Sequence, residues 1–254
     1  MTSSDDPNAE SAVDKLLTDF SWNKYIARAI HDTAWEYRKL GNYGRANKLD
    51  QYVIDHWPAD VQVMWAKMDM AKTDIGLGND AAVEKTIDIL IADFNDHPEM
   101  PTAIFMLGEE YYNKAFVKEN EGQQAESKDY FRKAIAIWER IIQGFHQTPY
   151  VTATVHELTG VCYERIGEDW KALEYYQKIV DAWPDYEQAW HIQFLIGRIY
   201  ERLLKSGAIS KSEALPKIRE AYEMVTKYYP DKPAASAARS WLQYYAKPNE
   251  GEEK

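Results

Sequence analysis

One stretch of the sequence, residues 156–184, constrains the fold more than any other. Gly160 and Ala172 are small, and each is followed by a tyrosine, Tyr163 three residues later and Tyr176 four residues later. Helices approach closely only where the residues in contact are small, and neighbouring rings then fill the space beside the contact. The stretch therefore predicts two helices packed against each other.

The same pattern recurs along the chain at a fixed spacing. Residues 16–20 resemble residues 90–94 at a shift of 74, and Trp57 lies midway, 37 residues from both Phe20 and Phe94. Self-similarity at a fixed period indicates stacked copies of one unit. We therefore expect a helical repeat array with a period of 37 residues.

Amphipathic spacing and turn residues divide this array into a half repeat, five complete repeats and a cap helix. An end repeat needs a cap because no neighbour covers its apolar surface. We expect a single solenoid over residues 8–246, flanked by a disordered N-terminus (1–7) and a disordered tail (247–254). The predicted boundaries are 8–21 for the half repeat, about 24–58, 60–95, 100–146, 150–184 and 187–230 for the repeats, and 234–246 for the cap.

An aromatic residue closes the second helix of each predicted repeat, and a proline often follows it. Proline stops a helix and turns the chain towards the next unit. We interpret these aromatic residues as packing between repeats rather than as a binding surface. They are Phe20, Trp57, Phe94, Phe145, Trp183 and Tyr229.

Charge and cysteine content exclude several classes of function. The formal net charge of −11 argues against nucleic acid as a partner, because phosphate binding needs basic patches. The charge indicates a solvated acidic surface, with attraction of a basic or neutral partner as the alternative. Cys162 is the only cysteine, so no intrachain disulfide forms, and we expect a small buried side chain there.

Neither an apolar run of 18 residues nor a signal peptide is present in the chain as given. We therefore expect a soluble protein without direct membrane insertion. The compartment stays open: it is cytoplasmic, or periplasmic if a leader was removed.

No pattern in the sequence indicates catalysis, a metal or a cofactor. The six histidines form no H-E-x-x-H motif, and no two of them lie three or four residues apart. Glu109 and Glu110 are adjacent and point about 100° apart on a helix, so they cannot flank one bond. Gly76 and Gly78 lack the third glycine and the preceding strand of a phosphate-binding loop. We expect a protein that is not an enzyme.

Residues 156–184 resemble a tetratricopeptide repeat (TPR), whose pattern is W-x2-L-G-x2-Y, then A-x3-F, then P. The corresponding residues here are His156, Thr159, Gly160, Tyr163, Ala172, Tyr176 and Pro184. His156 and Thr159 replace the usual tryptophan and leucine. The resemblance extends over about residues 8–245 and implies an all-α, TPR-like α-solenoid, a right-handed superhelix of helix-turn-helix repeats.

Within this family the chain is most similar to bacterial cell-envelope arrays, including the lipoprotein of the outer-membrane β-barrel assembly machine. The similarity lies in the turns between repeats, such as residues 95–103 and 229–235, where proline and alanine follow a closing aromatic residue.

The resemblance also implies a binding surface, because TPR proteins hold peptides in a concave groove lined by the first helix of each repeat. Exposed aromatic residues flanked by arginine are typical of protein-binding hot spots. The alternative for each residue is packing against a neighbouring helix. The predicted groove residues are Arg28, His31, Trp35, Arg38, Trp65, Met68, Phe105, Glu109, Tyr112, Arg165, His191, Phe194, Arg198 and Arg202.

These observations favour a non-catalytic scaffold that binds a peptide or a protein segment in the concave groove. The Lys/Asn clamp of eukaryotic chaperone-binding TPR domains has no match at His31, Trp35, Phe105 or Glu109. Two alternatives stay open. One is self-assembly into a homo-oligomer through the solenoid ends, and the other is small-ligand binding in the superhelix interior.

Overall fold

The computed structural model describes residue 15 and residues 18–20, 23–145 and 152–246 of the protein. Within these ranges the chain forms helices and no strand, so the predicted fold class, an all-α, TPR-like α-solenoid, is confirmed. The helices are α1 (Ile26–Lys39), α2 (Tyr43–His56), α3 (Gln62–Leu77), α4 (Asp80–Phe94), α5 (Met100–Asn120), α6 (Gln124–Gly144), α7 (Ala153–Ile166), α8 (Asp169–Ala182), α9 (Ala189–Lys205), α10 (Lys211–Tyr228) and α11 (Ala234–Ala246).

Successive helices within the described ranges form five hairpins. The helices of α1–α2, α3–α4, α7–α8 and α9–α10 pack against each other, and α11 packs against α10. In α5–α6 the Phe116 ring packs edge-on against the Phe131 ring. The chain divides into two compact units, Met1–Tyr111 and Tyr112–Lys254, and the boundary falls within α5. In the first unit α2 also packs against α3, and in the second unit α6 packs against α7 and α8 against α9. Each of these second helices is therefore covered by its own first helix and by the first helix of the next hairpin.

Most of the predicted half repeat 8–21 and both predicted disordered ends, 1–7 and 247–254, lie outside the described residues. The prediction that residues 8–246 form a single array stays a prediction.

A glycine in the left-handed backbone conformation follows the first helix of every hairpin. After α7, for example, Gly167 has a φ of +88° and donates its N–H to the carbonyl of Glu164. Other residues pay a steric cost in this conformation, so glycine ends the helix and starts the turn. The glycines are Gly41, Gly78, Gly122, Gly167 and Gly207.

The closing aromatic residues end the second helices in a common way. Trp57, Phe145, Trp183 and Tyr229 each occupy the C-cap with a φ between −123° and −133°. Each also donates its backbone N–H to the carbonyl four residues earlier. In the first unit, Trp57 and Phe94 pack against a core cluster that includes Ile30 and Val53.

The close helix contact predicted at residues 156–184 is present between α7 and α8. A methyl carbon built on Gly160 would lie 2.5 Å from Cε1 of Tyr176, and the Tyr176 ring is fully buried. Gly197 faces Tyr222 in the same way in the fifth hairpin. The two helices are therefore held at a distance that only a glycine permits.

Candidate functional site

The first hairpin departs from this packing, because a buried carboxylate takes the place of the aromatic ring. Asp50 follows Ala46 by four residues, as Tyr176 follows Ala172, and it is fully buried. Its Oδ1 lies 2.9 Å from Nδ1 of His31. A charged group in this position needs partners, because burial of an unpaired carboxylate is costly.

Arg38 supplies the main partner of this carboxylate. Its Nη2 donates to Oδ2 of Asp50 at 2.8 Å and to Oδ1 of Asn47 at 2.9 Å. Its Nη1 lies 3.6 Å from Oδ2 of Asp69, and its Nε reaches Oγ1 of Thr73 at 3.5 Å. The guanidinium therefore ties α1 to both α2 and α3.

Asp69 completes this buried polar cluster from α3. Burial raises the pKa of Asp69, while the charges of Arg38 and His31 lower it. Two carboxylates therefore face the Arg38 guanidinium and the His31 ring. The predicted groove residues His31 and Arg38 thus serve as ties between helices, and Met68 of α3 is buried.

Other predicted groove residues of the first unit reach solvent from the first helices. Trp35 on α1 is 49% exposed, and the Lys39 ammonium lies 4.1 Å from its ring centroid. Arg28 is exposed and lies 3.7 Å from Asp32 on the same helix. The cation–π contact with Lys39 therefore orients the Trp35 ring, which stays half exposed to solvent.

Trp65, Phe105 and Glu109 are half-buried on α3 and α5. Burial raises the pKa of Glu109, Lys72 lowers it, and Glu110 raises it. This part of the first unit thus carries partly desolvated acidic and basic groups beside aromatic rings.

In the second unit two predicted groove arginines are engaged within the fold. Arg165 donates from Nη1 to both carboxylate oxygens of Glu119, at 3.1 Å and 3.3 Å, and its guanidinium lies 5.1 Å from the Phe116 ring centroid. Arg202 binds Glu164 at 2.9 Å and Asp169 at 2.7 Å.

Desolvation and the neighbouring carboxylates act on Arg202 in opposite directions, and the net effect is a raised pKa. Both arginines therefore tie successive first helices together.

The remaining predicted residues of the second unit divide between core and surface. Tyr112 packs edge-on against Phe116 at 4.8 Å, and burial raises the pKa of its phenol. Phe194 stacks on Tyr222 with ring centroids 5.5 Å apart. His191 is half-buried with its ring 5.3 Å from the Trp190 ring. Arg198 is exposed and lies 3.8 Å from Glu201.

Sequence reasoning missed a set of tyrosine–carboxylate hydrogen bonds that join neighbouring helices. Tyr163 and Tyr175 both donate to Oε1 of Glu139, at 2.6 Å and 2.8 Å. Tyr222 donates to Glu201 at 2.6 Å, and Tyr111 to Asp80 at 2.6 Å. The only signal in the sequence is the large number of tyrosines, because the partners come from different helices.

No cluster suited to a metal ion occurs among the residues that the structure describes. Cys162 is fully buried, and burial raises the pKa of its thiol. In the same part of the chain, no helix is long and apolar enough to cross a membrane.

Comparison with known families gives one match. Residues 158–186, which lie in α7, α8 and the turn after α8, match the family TPR_6, described as tetratricopeptide repeat. This stretch is a tetratricopeptide repeat. The match supports a TPR protein, as the resemblance predicts, and TPR proteins bind protein partners and are generally non-catalytic. In general terms the fold is that of a protein-interaction scaffold.

The chain is also similar to solved structures of TPR proteins. A thermophilic TPR protein of Thermus thermophilus is 18% identical, with 85% of this chain and 99% of that chain covered and a TM-score of 0.41. The C-terminal part of a TPR repeat-containing protein of Cytophaga hutchinsonii is 17% identical, with 95% and 92% covered and a TM-score of 0.43.

PilW, a type IV pilus biogenesis factor, is 15% identical, with 88% and 96% covered and a TM-score of 0.37. A comparison with curated protein sequences gives no significant match.

Proposed function

We propose that the protein is a non-catalytic scaffold that binds a peptide or protein segment along the first helices of its hairpins. The observation that carries this proposal is Trp35, a large aromatic residue on a first helix that the core leaves half exposed. Covering such a ring with a partner removes apolar surface from water, and tryptophan and arginine are enriched in binding hot spots.

The contacts within the fold reduce the predicted binding surface to a smaller set. His31 and Met68 are buried, and Arg38, Arg165 and Arg202 are held by carboxylates. These five residues, and Tyr112, which packs against Phe116, hold the first helices in place and are removed from the predicted surface. The proposed contact residues are Arg28, Trp35, Trp65, Phe105, Glu109, His191, Phe194 and Arg198.

The test is affinity capture from native lysate with two tryptophan variants of the chain. Trp35→Ala combined with Trp65→Ala removes the exposed ring of α1 and the half-buried ring of α3. Trp170→Ala is the matched control, because Trp170 is 51% exposed but lies on a second helix, α8. We expect a captured partner to be lost by the double variant and retained by the control. Equal capture by all proteins would refute binding by the first helices.

A second candidate function is self-assembly, and the last helix favours it. On α11, Tyr244 is 73% exposed, and Trp241 stacks on Tyr245 with centroids 4.3 Å apart. An apolar end surface of a repeat array can be covered by another copy. Light scattering over a concentration series tests this, and a monomeric mass throughout would rule it out.

Membership of the cell-envelope group of TPR arrays is a further part of the proposal. It rests on the aromatic–proline turns alone. Fractionation of the native organism would test it, and recovery with the cytoplasmic fraction would contradict it.

A further inference from the structure

Two surface pockets occupy the same place in the repeat, one in each unit. The first pocket has a volume of about 680 Å³, and Ile54, Pro58 and Val63 line it. These residues follow the small residue Ala46 by 8, 12 and 17 positions.

The second pocket, of about 640 Å³, is lined by Val180, Pro184 and Ala189. These residues follow Ala172 by the same 8, 12 and 17 positions. The same repeat positions therefore line both pockets.

The far wall of each pocket also matches in register. It contains the aromatic residue at the end of the next second helix, Phe94 in the first unit and Tyr229 in the second. Each aromatic residue is followed three positions later by another residue that lines the pocket, His97 or Lys232. Each pocket therefore lies between two features: the turn after one second helix, where proline redirects the chain, and the end of the second helix in the next hairpin.

Apolar and polar side chains share the walls of both pockets. Val61 and Phe94 contribute to the first, and the second is lined by Met224 and Tyr228, which are both exposed although they are large and apolar. A single exposed apolar residue needs no explanation, but several that converge on one concave surface mark an interaction site.

Carboxylates outnumber lysines at the rim of both pockets. Asp93 and Asp96 accompany Lys67 in the first, and Asp185 and Glu187 accompany Lys232 in the second. These four carboxylates form no salt bridge with another described residue. A positively charged group beside an apolar one therefore complements both rims, and the net charge of −11 adds long-range attraction for it.

We propose that each pocket docks a linear protein segment that inserts an aromatic side chain and places a lysine or arginine against the acidic rim. This goes beyond the proposed function, because none of the predicted groove residues lines either pocket. The docking surface lies at the ends of the second helices and the turns that follow them.

Fluorescence anisotropy tests the proposal with a fluorescein-labelled peptide that has a central phenylalanine and two lysines on each side. Two further peptides serve as comparisons, one with serine in place of phenylalanine and one with glutamates in place of the lysines. We expect binding of the first peptide at millimolar or lower concentration, about tenfold weaker binding of the serine peptide, and no binding of the glutamate peptide. Binding should weaken as salt rises.

Two sets of variants locate the binding. Replacing all four rim carboxylates (Asp93→Asn, Asp96→Asn, Asp185→Asn and Glu187→Gln) should weaken binding about fivefold. Tyr228→Ala removes one apolar wall of the second pocket. It should weaken peptide binding by less than tenfold, because the first pocket stays intact. The matched control is Glu174→Gln with Glu220→Gln, two exposed residues that line neither pocket.

Circular dichroism confirms the helical content of every variant, since all the changes lie at the surface. Three results would overturn the proposal: equal binding of the glutamate peptide, equal weakening by the control pair, or no binding of the lysine peptide at about 1 mM. A mass that doubles with concentration while peptide binding falls would show that a second copy occupies the pockets instead. Loss of peptide binding in the Trp35→Ala, Trp65→Ala double variant would show that the peptide binds to the first helices instead of the pockets.

Discussion

The substitution Gly160→Ala tests the close contact between α7 and α8. The added methyl carbon would lie 2.5 Å from Cε1 and 2.9 Å from Cδ1 of Tyr176. Carbon atoms do not approach this closely, and Tyr176 is fully buried, so its ring has no room to retreat. The two helices must therefore move apart or the ring must leave its rotamer.

The expected magnitude is the balance of two effects. Overpacking a filled core costs about 1–3 kcal/mol. Replacing glycine by alanine inside a helix returns about 0.5–1 kcal/mol. The difference spans about 0–2.5 kcal/mol, and from the midpoints we expect Gly160→Ala to lower the free energy of unfolding by about 1 kcal/mol.

Urea denaturation followed by circular dichroism measures this change. Gly76→Ala in α3 is the matched control, because a methyl group there meets no atom within 4 Å. We expect the control to be neutral or stabilising. Adding Tyr176→Leu to Gly160→Ala should make the alanine less costly than it is in the wild-type background. Equal stability of Gly160→Ala and Gly76→Ala would refute the close contact.

Three further predictions concern the polar contacts. Asp50→Ala leaves the largely desolvated Arg38 without its main acceptor and should cost about 3–5 kcal/mol of unfolding free energy. Asp55→Ala, on the exposed face of α2, should change it by less than about 0.5 kcal/mol. Equal losses in urea denaturation would contradict the buried cluster. Burial raises the pKa of Asp69 above its ordinary value of 3.8, so the folded chain holds this proton more tightly than the unfolded chain. The stability gained in this way is fully present below pH 3.8 and is lost as the pH rises through the raised pKa. The stability of Asp69→Asn relative to wild type should therefore increase over that pH range. Urea midpoints of the two proteins that stay parallel across this range would contradict the prediction. Tyr175→Phe removes one hydrogen bond to Glu139 and should cost about 1 kcal/mol, while Tyr244→Phe on the exposed side of α11 should cost nothing measurable by thermal unfolding.

The helical hairpins could be predicted from the sequence because their signals are local. Gly167 and Pro184 punctuate the fourth repeat, and Gly160 and Ala172 place small residues at the helix contact. Each signal acts through backbone conformation or through volume, and both are properties of the residue itself. The fold class therefore followed from the spacing of a few residue types.

The binding surface could be predicted less well, because burial depends on partners from other helices. Position within the repeat placed Arg38 on the groove side, but it could not show that Asp50 and Asp69 would pair with it. The signal was present in a weak form, since Asp50 takes the position that carries Tyr176 in the fourth repeat. A carboxylate at a core position predicts a buried cation nearby, although it does not identify which one.

Arg165 and Arg202 show the same limit. Both belong to first helices, and both reach back to a carboxylate of the preceding first helix, Glu119 or Glu164. Spacing along one helix predicts pairs three or four residues apart. It does not predict pairs that are 46 or 38 residues apart along the chain.

Site-specific photo-cross-linking tests partner binding by the first helices most directly. A benzophenone side chain would replace Trp35 or Trp65 on the first helices, or Trp170 on a second helix as the control. We expect one partner protein to be cross-linked from positions 35 and 65 and not from position 170. Cross-linking of the same partner from position 170 alone, or equally from all three positions, would contradict binding by the first helices.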